Sequence, residues 1–222
     1  MIAIEMTDVF GWESAIRGMR NPMNSWDKSD SGWDWLEDPS PINPCDGLRF
    51  FVGENDLALM KKLVNAGSDH SKFMRMINVT CDITAPLYWW KEYDTYKVGT
   101  VANSCSTMHK IASKPIELSD FSVDDFPLYG EDGLPFSDVF MDIVLDCETL
   151  RKKYIETGDK RFWRGLIQLL PCSYNQKRTV QLNYAVLRNM YHSRRNHKLD
   201  EWRTFCEWVE ELPYAKELIC DE

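Results

Sequence analysis

An α+β fold is predicted by three features of the chain. Strand-like alternation and mixed structure fill the first half, helical periodicity fills the second, and no Pro/Ser-rich or charge-run linker divides the 222 residues. Residues 1–222 therefore read as one domain.

Ile2, Ile4 and Met6 alternate with Ala3 and Glu5, a period of two that predicts a first strand. Residues 14–20 predict a short helical turn region. From 21 to 47, Pro39, Pro41 and Pro44 with Asp, Ser and the anchors Trp26, Trp33 and Trp35 predict a long loop. Asn55 or Asp56 is placed to cap a helix through Leu57, Met60 and Val64, and Gly67 to stop it. Residues 74–84 predict a strand, and Pro86 starts a short aromatic helix, 87–93. The segment 96–109 is polar, and 115–135 is loop-like. Helices are predicted at 139–157, 160–170, 176–196 and 199–211, with Pro171 and Pro213 at boundaries.

The composition, 44% apolar with 13% aromatic and 27% charged residues, is globular. No apolar run reaches the roughly 18 residues of a membrane span, and MIAIEMTDVF has no signal-peptide pattern. The seven cysteines form no C-x-x-C pair, which predicts neither a disulfide framework nor zinc, and suits a reducing, cytoplasmic setting. A net charge of −9 disfavours nucleic acid and anionic membranes as partners. An anionic ligand then needs a local basic patch.

One such patch lies between residues 175 and 203. Lys177, Arg178, Arg188, Arg194, Arg195, Lys198 and Arg203 face only Asp200 and Glu201 there. It reads either as an ion-paired surface or as a phosphate or carboxylate site, since arginine forms bidentate hydrogen bonds with oxyanions. On a continuous helix Asn183 and Arg194 fall within about 20° of one face and roughly 16 Å apart. That span suits an extended ligand.

His192 and His197 miss the i, i+4 metal spacing, and no metal site is expected. His70 stands at a helix-to-strand junction, as a structural partner or a cleft residue. Cys105 reads as a small buried thiol rather than a nucleophile. Tyr88, Trp89, Trp90 and Tyr93 read as core. G-x-S-x-G, P-loop and G-x-G-x-x-G patterns are absent.

Three stretches resemble the flavin-dependent thymidylate synthase family. Gly67 to Phe73 is similar to the family's G-H-x-S-x-x-E segment through His70 and Ser71, with Met74 where a polar residue is usual. Residues 86–109 are placed like the segment carrying R-H-R-x-x-S-x-N-E-x-S-x-R-Y. There Asn103 and Ser106 match, Ser104 replaces the acidic residue, and Met108 and His109 replace R-Y. Tyr96, Lys97 and Val98, or with a one-residue gap Thr95, Tyr96 and Lys97, occupy R-H-R, so the signature arginines are missing. Leu170-Pro171, then Asn183, Leu187, Asn189 and Arg194, follow the family's third motif, with Ala185 and Asp200 departing from it.

The resemblance covers about residues 55–215 and identifies a divergent member with an altered signature. It implies a small, mostly antiparallel sheet flanked by helices, a helical C-terminal half, and a homotetramer with shared sites. It further implies a methyltransferase converting dUMP or a related pyrimidine nucleotide with reduced FAD, and with methylenetetrahydrofolate and NADPH as cosubstrates. FAD contacts fall on His70, Tyr96, Lys97, Asn103, Asn183 and Asn189. The nucleotide falls to Ser104, Ser106 and Arg194, of which Ser106 and Arg194 also carry the catalytic role. No protein thiol is needed, because the protein positions ligands and stabilises charge. The alternative is a noncatalytic relative keeping the fold for nucleotide binding or assembly.

Overall fold

In a computed structural model the described residues are 2–35, 48–124 and 136–221. The expectations for Pro39, Pro41 and Pro44 and for most of the 115–135 loop lie outside them. The strands are β1 (Ala3–Phe10), β2 (Gly32–Trp35), β3 (Leu48–Phe51), β4 (Asn78–Pro86), β5 (Val101–Ser104) and β6 (Asn175–Asn183). The helices are α1 (Trp12–Arg20), α2 (Glu54–Asn65), α3 (Leu87–Tyr93), α4 (Thr107–Lys110), α5 (Phe136–Thr157), α6 (Lys160–Leu169), α7 (Tyr184–Arg194) and α8 (Asp200–Glu210). The architecture is α+β, helices with an antiparallel sheet, as predicted. Among the described residues no helix is long and apolar enough to cross a membrane.

A four-stranded sheet has the order β1-β4-β6-β5. In β4, Val79, Cys81, Ile83 and Ala85 are buried while the residues between them are half-exposed, so the period of two sets its two faces. The strand starts later than the sequence suggests, because Lys72–Arg75 forms a tight 3-10 turn. The first strand runs on to Phe10, and Met6, at φ 54 and largely exposed, breaks its alternation.

The predicted helix over 176–196 is corrected: 175–183 is a strand, and the helix begins at Tyr184. Val180 and Leu182 are buried while Thr179 and Gln181 point to solvent, a strand alternation. The 21–47 loop also contains more order than predicted, because β2 pairs antiparallel with β3, Trp33 opposite Phe50. Trp26, Trp33 and Trp35 are exposed there rather than anchored inside.

The chain divides into two compact units, each built from three segments. The first comprises 1–5, 82–95 and 102–180. In it α3 buries Trp89, Trp90 and Tyr93, as predicted, while Tyr88 is only half-buried, and Trp90 Nε1 donates to the Gln176 carbonyl at 2.9 Å. Ile111, Ile116, Phe121, Phe140, Val144, Cys147 and Leu166 form a second apolar cluster, with α5 packed on α6. Asp159 caps α6 by accepting from the Arg161 amide at 2.9 Å.

Glu148 locks this cluster to the incoming chain. Arg151 donates to both its oxygens, at 2.6 and 2.8 Å, and to the Ala112 carbonyl, while the Ile116 amide donates to Glu148 at 2.9 Å. The Arg151 hydrogen bonds lead, against burial, in holding the Glu148 carboxyl down at about 2.

The second unit comprises 6–81, 96–101 and 181–222. Its core is organised around Trp12, edge-on to Tyr184 and Tyr214 with centroids 5.3 Å away. The Tyr184 hydroxyl donates to the Pro213 carbonyl at 2.6 Å. Neither Asn55 nor Asp56 caps α2. Gly53 is the capping position, and the Asp30 carboxylate accepts from the Asn55 and Asp56 amides at 2.9 and 3.1 Å. A Cβ on Gly53 would strike that carboxylate, so only glycine admits it.

Asp56 is instead fully buried against Arg20, Nε to Oδ1 2.6 Å, and accepts from the hydroxyls of Ser29 and Ser31 at 2.6 and 2.7 Å. Burial alone would raise its carboxyl, but these hydrogen bonds and the guanidinium outweigh it and hold the group below the ordinary value. Gly67, at φ +103, follows α2 as predicted.

The Glu148 pair predicts a pH signature. Its native carboxyl titrates at about 2 against an ordinary value of 4.5, so its stabilisation is full above about 4.5 and disappears as pH falls towards 2. Glu148→Gln lowers stability at pH 7 by roughly 2 kcal/mol, the gap closing between about pH 4.5 and 2. Thermal midpoints of both proteins across this range check it; parallel curves would refute it.

Candidate functional site

The second unit brings Asn183, Tyr96 and Arg194 together at α7, which also carries Asn189. Asn183 ends β6 and is the N-cap of α7, so it does not share a helical face with Arg194 as a continuous helix would require. Its Oδ1 accepts from the Val186 amide at 3.1 Å and its Nδ2 donates to the Gly99 carbonyl at 3.4 Å. Asn183 is buried, and this one amide both opens the helix and holds the 96–101 segment.

Gly99 approaches closely enough that a Cβ would lie 2.8 Å from Asn183 Nδ2 and 3.0 Å from Val186 Cγ2, at φ +80. The Thr100 hydroxyl donates to the Tyr96 carbonyl at 2.5 Å, closing the segment on itself. At the far end of α7, Arg194 Nε donates to the Tyr96 hydroxyl at 2.8 Å. The guanidinium carbon stands 4.8 Å from the centroid of the buried Trp202 ring and 5.5 Å from that of Tyr96. This is a cation seated on two π-faces. Tyr96 and Trp202 meet edge to face at 6.1 Å, and His197 lies 6.3 Å from Trp202. The Tyr191 hydroxyl ties α7 to α8 by donating to Glu210 at 2.7 Å.

His70, Lys97 and Asn189 belong to the same unit, are exposed, and among the described residues their side chains make no hydrogen bond or ion pair. Asn103, Ser104 and Ser106 belong to the first unit. Ser106 caps α4, its hydroxyl accepting from the His109 amide at 3.2 Å, which leaves the hydroxyl proton to donate. Cys105 is exposed, correcting the buried reading: it sits at the end of β5, with its amide on the Lys177 carbonyl at 2.9 Å.

The basic patch resolves into separate structural tasks. Lys177 and Arg178 stand on β6, not on a helix. Lys177 pairs with Asp82 at 3.1 Å and Glu5 at 3.4 Å, hydrogen bonds that raise it above the ordinary lysine value. Arg178 pairs with Asp94 at 2.7 Å and covers Trp90 at 4.1 Å. Arg188 donates to the carbonyls of Leu218 and Ile219, and Arg203 pairs with Asp200. Arg194 is distinguished from these by its seat on two rings and a phenol oxygen. Sequence reasoning misses the roles of Gly99 and Trp202. The eight-residue spacing of Arg194 and Trp202 across a helix break is the usable signal for the second of them.

The fold is that of the flavin-dependent thymidylate synthases. One structure of ThyX from Helicobacter pylori, complexed with FAD and dUMP, has a TM-score of 0.65 at 16% identity, covering 97% of this chain and 97% of that one. A second, also with FAD and dUMP, has a TM-score of 0.65 at 16% identity and covers 99% and 97%. The UMP/dUMP methylase PolB from Streptomyces cacaoi, bound with 5-Br dUMP, follows at 0.61 and 14% identity, covering 99% and 95%. No family model and no curated protein matches the sequence.

The Gly99 contact is testable against Gly67, whose φ is +103 with nothing within 4 Å of the place a Cβ would take. Gly67→Ala carries backbone strain alone, about 1 kcal/mol. Gly99→Ala adds the collision with Asn183 and loses at least about 1 kcal/mol more in chemical denaturation. Equal losses would show that the 96–101 segment does not bear on Asn183.

Proposed function

We propose that the chain is a divergent flavin-dependent thymidylate synthase-like enzyme that binds FAD and methylates dUMP or a related pyrimidine nucleotide. The observation that carries this reading is the Arg194 guanidinium, fixed at the end of α7 by Tyr96 and Trp202, in a fold whose solved relatives bind FAD and dUMP. Two rings and a phenol oxygen hold the guanidinium at the end of α7, and a guanidinium suits the oxyanion of a nucleotide. Arg194 is the proposed nucleotide contact.

The donor set fits a flavin dinucleotide. His70, Lys97 and Asn189, each exposed, offer a ring, a cation and an amide without internal hydrogen bonds to break. These residues, with one remaining lone pair and one N–H of Asn183, would hold the cofactor. When bound and reduced, FAD would supply the electrons that turn the carbon of methylenetetrahydrofolate into a methyl group, with NADPH as the source. The chain's own part is to bind the nucleotide anion through Arg194 and to stabilise charge developing on the uracil. Asn103, Ser104 and Ser106 are proposed contacts from a second copy in a homotetramer, Ser106 by donating its hydroxyl proton. The setting proposed is cytoplasmic, with neither nucleic acid nor membrane as partner.

A noncatalytic nucleotide-binding or assembly role is the second reading. It is favoured by Tyr96, which stands in the altered signature and spends its hydroxyl on Arg194 rather than carrying a charge of its own.

Flavin and nucleotide titrations test the proposal. FAD fluorescence is expected to change on adding protein, and dUMP to bind by calorimetry. Arg194→Ala weakens dUMP by about 1.5–3 kcal/mol, the range for a charged hydrogen bond, while leaving the thermal midpoint within a few degrees. A protein that leaves FAD fluorescence untouched, or an Arg194→Ala variant with full dUMP affinity, would overturn it.

A further inference from the structure

We infer that Tyr96 is the positioning residue of the anion site: its hydroxyl fixes the guanidinium of Arg194 in one orientation before any ligand arrives. The inference rests on the proposal that Arg194 meets the nucleotide, and adds how this chain prepares it.

An arginine left loose at a helix end samples many rotamers, and immobilising such a side chain costs binding free energy on each association. Here a hydrogen bond and two ring contacts bear on one guanidinium. The Nε–H is held at 2.8 Å by the Tyr96 oxygen, one face lies 4.8 Å from the Trp202 centroid, and the Tyr96 ring stands 5.5 Å away. Trp202 is fully buried and packed edge to face on Phe205 at 5.5 Å, so that wall is rigid. Tyr96 is held independently, through its carbonyl by Thr100 and through Gly99 by Asn183.

The geometry explains why a long, stiff side chain is needed at position 96. The eleven steps from Asn183 to Arg194 advance about 16 Å along α7, whereas the three from Gly99 to Tyr96 span at most about 11 Å even when extended. The side chains of Tyr96 and Arg194 close the difference. Because the hydroxyl accepts from Nε–H, the hydrogen bond sets the direction of Nε–H within the guanidinium plane, which contact with a ring face does not define. Phenylalanine at 96 keeps the ring and removes only that hydrogen bond.

The test is a double-mutant cycle with dUMP as the probe. Tyr96→Phe is expected to weaken dUMP about tenfold in the otherwise native protein. It should change affinity by less than about twofold in the Arg194→Ala background, because the hydroxyl acts only through the arginine. In nitrogen-15 spectra the Arg194 Nε–H signal, sharp and slow to exchange in the native protein, should broaden or exchange rapidly in Tyr96→Phe. Thermal midpoints of the two proteins should stay within a few degrees, which a merely structural role would not allow alongside the affinity loss.

Unchanged affinity in Tyr96→Phe would overturn the inference. Equal losses in both backgrounds would also overturn it, by making Tyr96 a direct ligand contact. If native protein fails to bind dUMP, the parent reading fails. The Nε–H signal then still decides whether Tyr96 fixes the arginine.

Discussion

Asn183 ends a strand, starts a helix and holds a loop with a single side-chain amide. Its carbonyl oxygen takes the amide of Val186 and so sets where α7 begins; its nitrogen takes the carbonyl of Gly99 and so sets where 96–101 lies. The direction of α7 fixes the height of Arg194, and the course of the loop fixes the place of Tyr96. Both start from the same residue, and Trp202 packs against each of them where they meet. Leu182 and Tyr184, each fully buried on either side of Asn183, keep that start from shifting. The Tyr184 amide donates to the Ile77 carbonyl at 3.0 Å, anchoring it again.

The charge distribution follows a related logic. The protein carries a net −9, yet several of its cations are spent inside it. Arg20 satisfies buried Asp56 and the carbonyls of Ser25 and Lys28, Arg151 satisfies Glu148, and Arg188 finishes the carbonyls of the C-terminal π-type turn at Lys216–Cys220. Removing one partner of such a pair leaves a buried charge uncompensated, so these arginines hold architecture. Arg194 adds a different element, two uncharged rings and a phenol oxygen. They constrain the side chain at the end of α7.

Much of the fold is legible in the sequence because the helices write their own ends. Pro86 before α3, Gly67 after α2 and Pro171 after α6 each act through backbone chemistry that belongs to a single residue. β6 reads as helix because 175–179 are all polar and only Val180 and Leu182 are apolar before α7, an alternation too short to mark a strand. Within a short window that pattern merges with the helical periodicity that follows. The β2–β3 ladder is hidden because each strand is only four residues long and β2 stands among the Pro, Asp and Ser of a loop-like stretch. The candidate site is half legible: spacing singles out Asn183 and Arg194, but not what each does. Tyr96, Trp202 and Gly99 reach Arg194 and Asn183 across about a hundred residues of chain or a helix break, and no local pattern encodes that.

Whether this fold and this arginine site act on a uracil nucleotide is decided most directly by mass spectrometry of the nucleotide, after dUMP is incubated with FAD-loaded protein, NADPH and methylenetetrahydrofolate. The expected product is dUMP heavier by one methylene group, with Arg194→Ala giving far less of it at the same enzyme concentration. Unmodified dUMP from a protein that demonstrably holds both FAD and dUMP would contradict the proposed catalysis and establish the chain as a binding protein on an enzyme's fold.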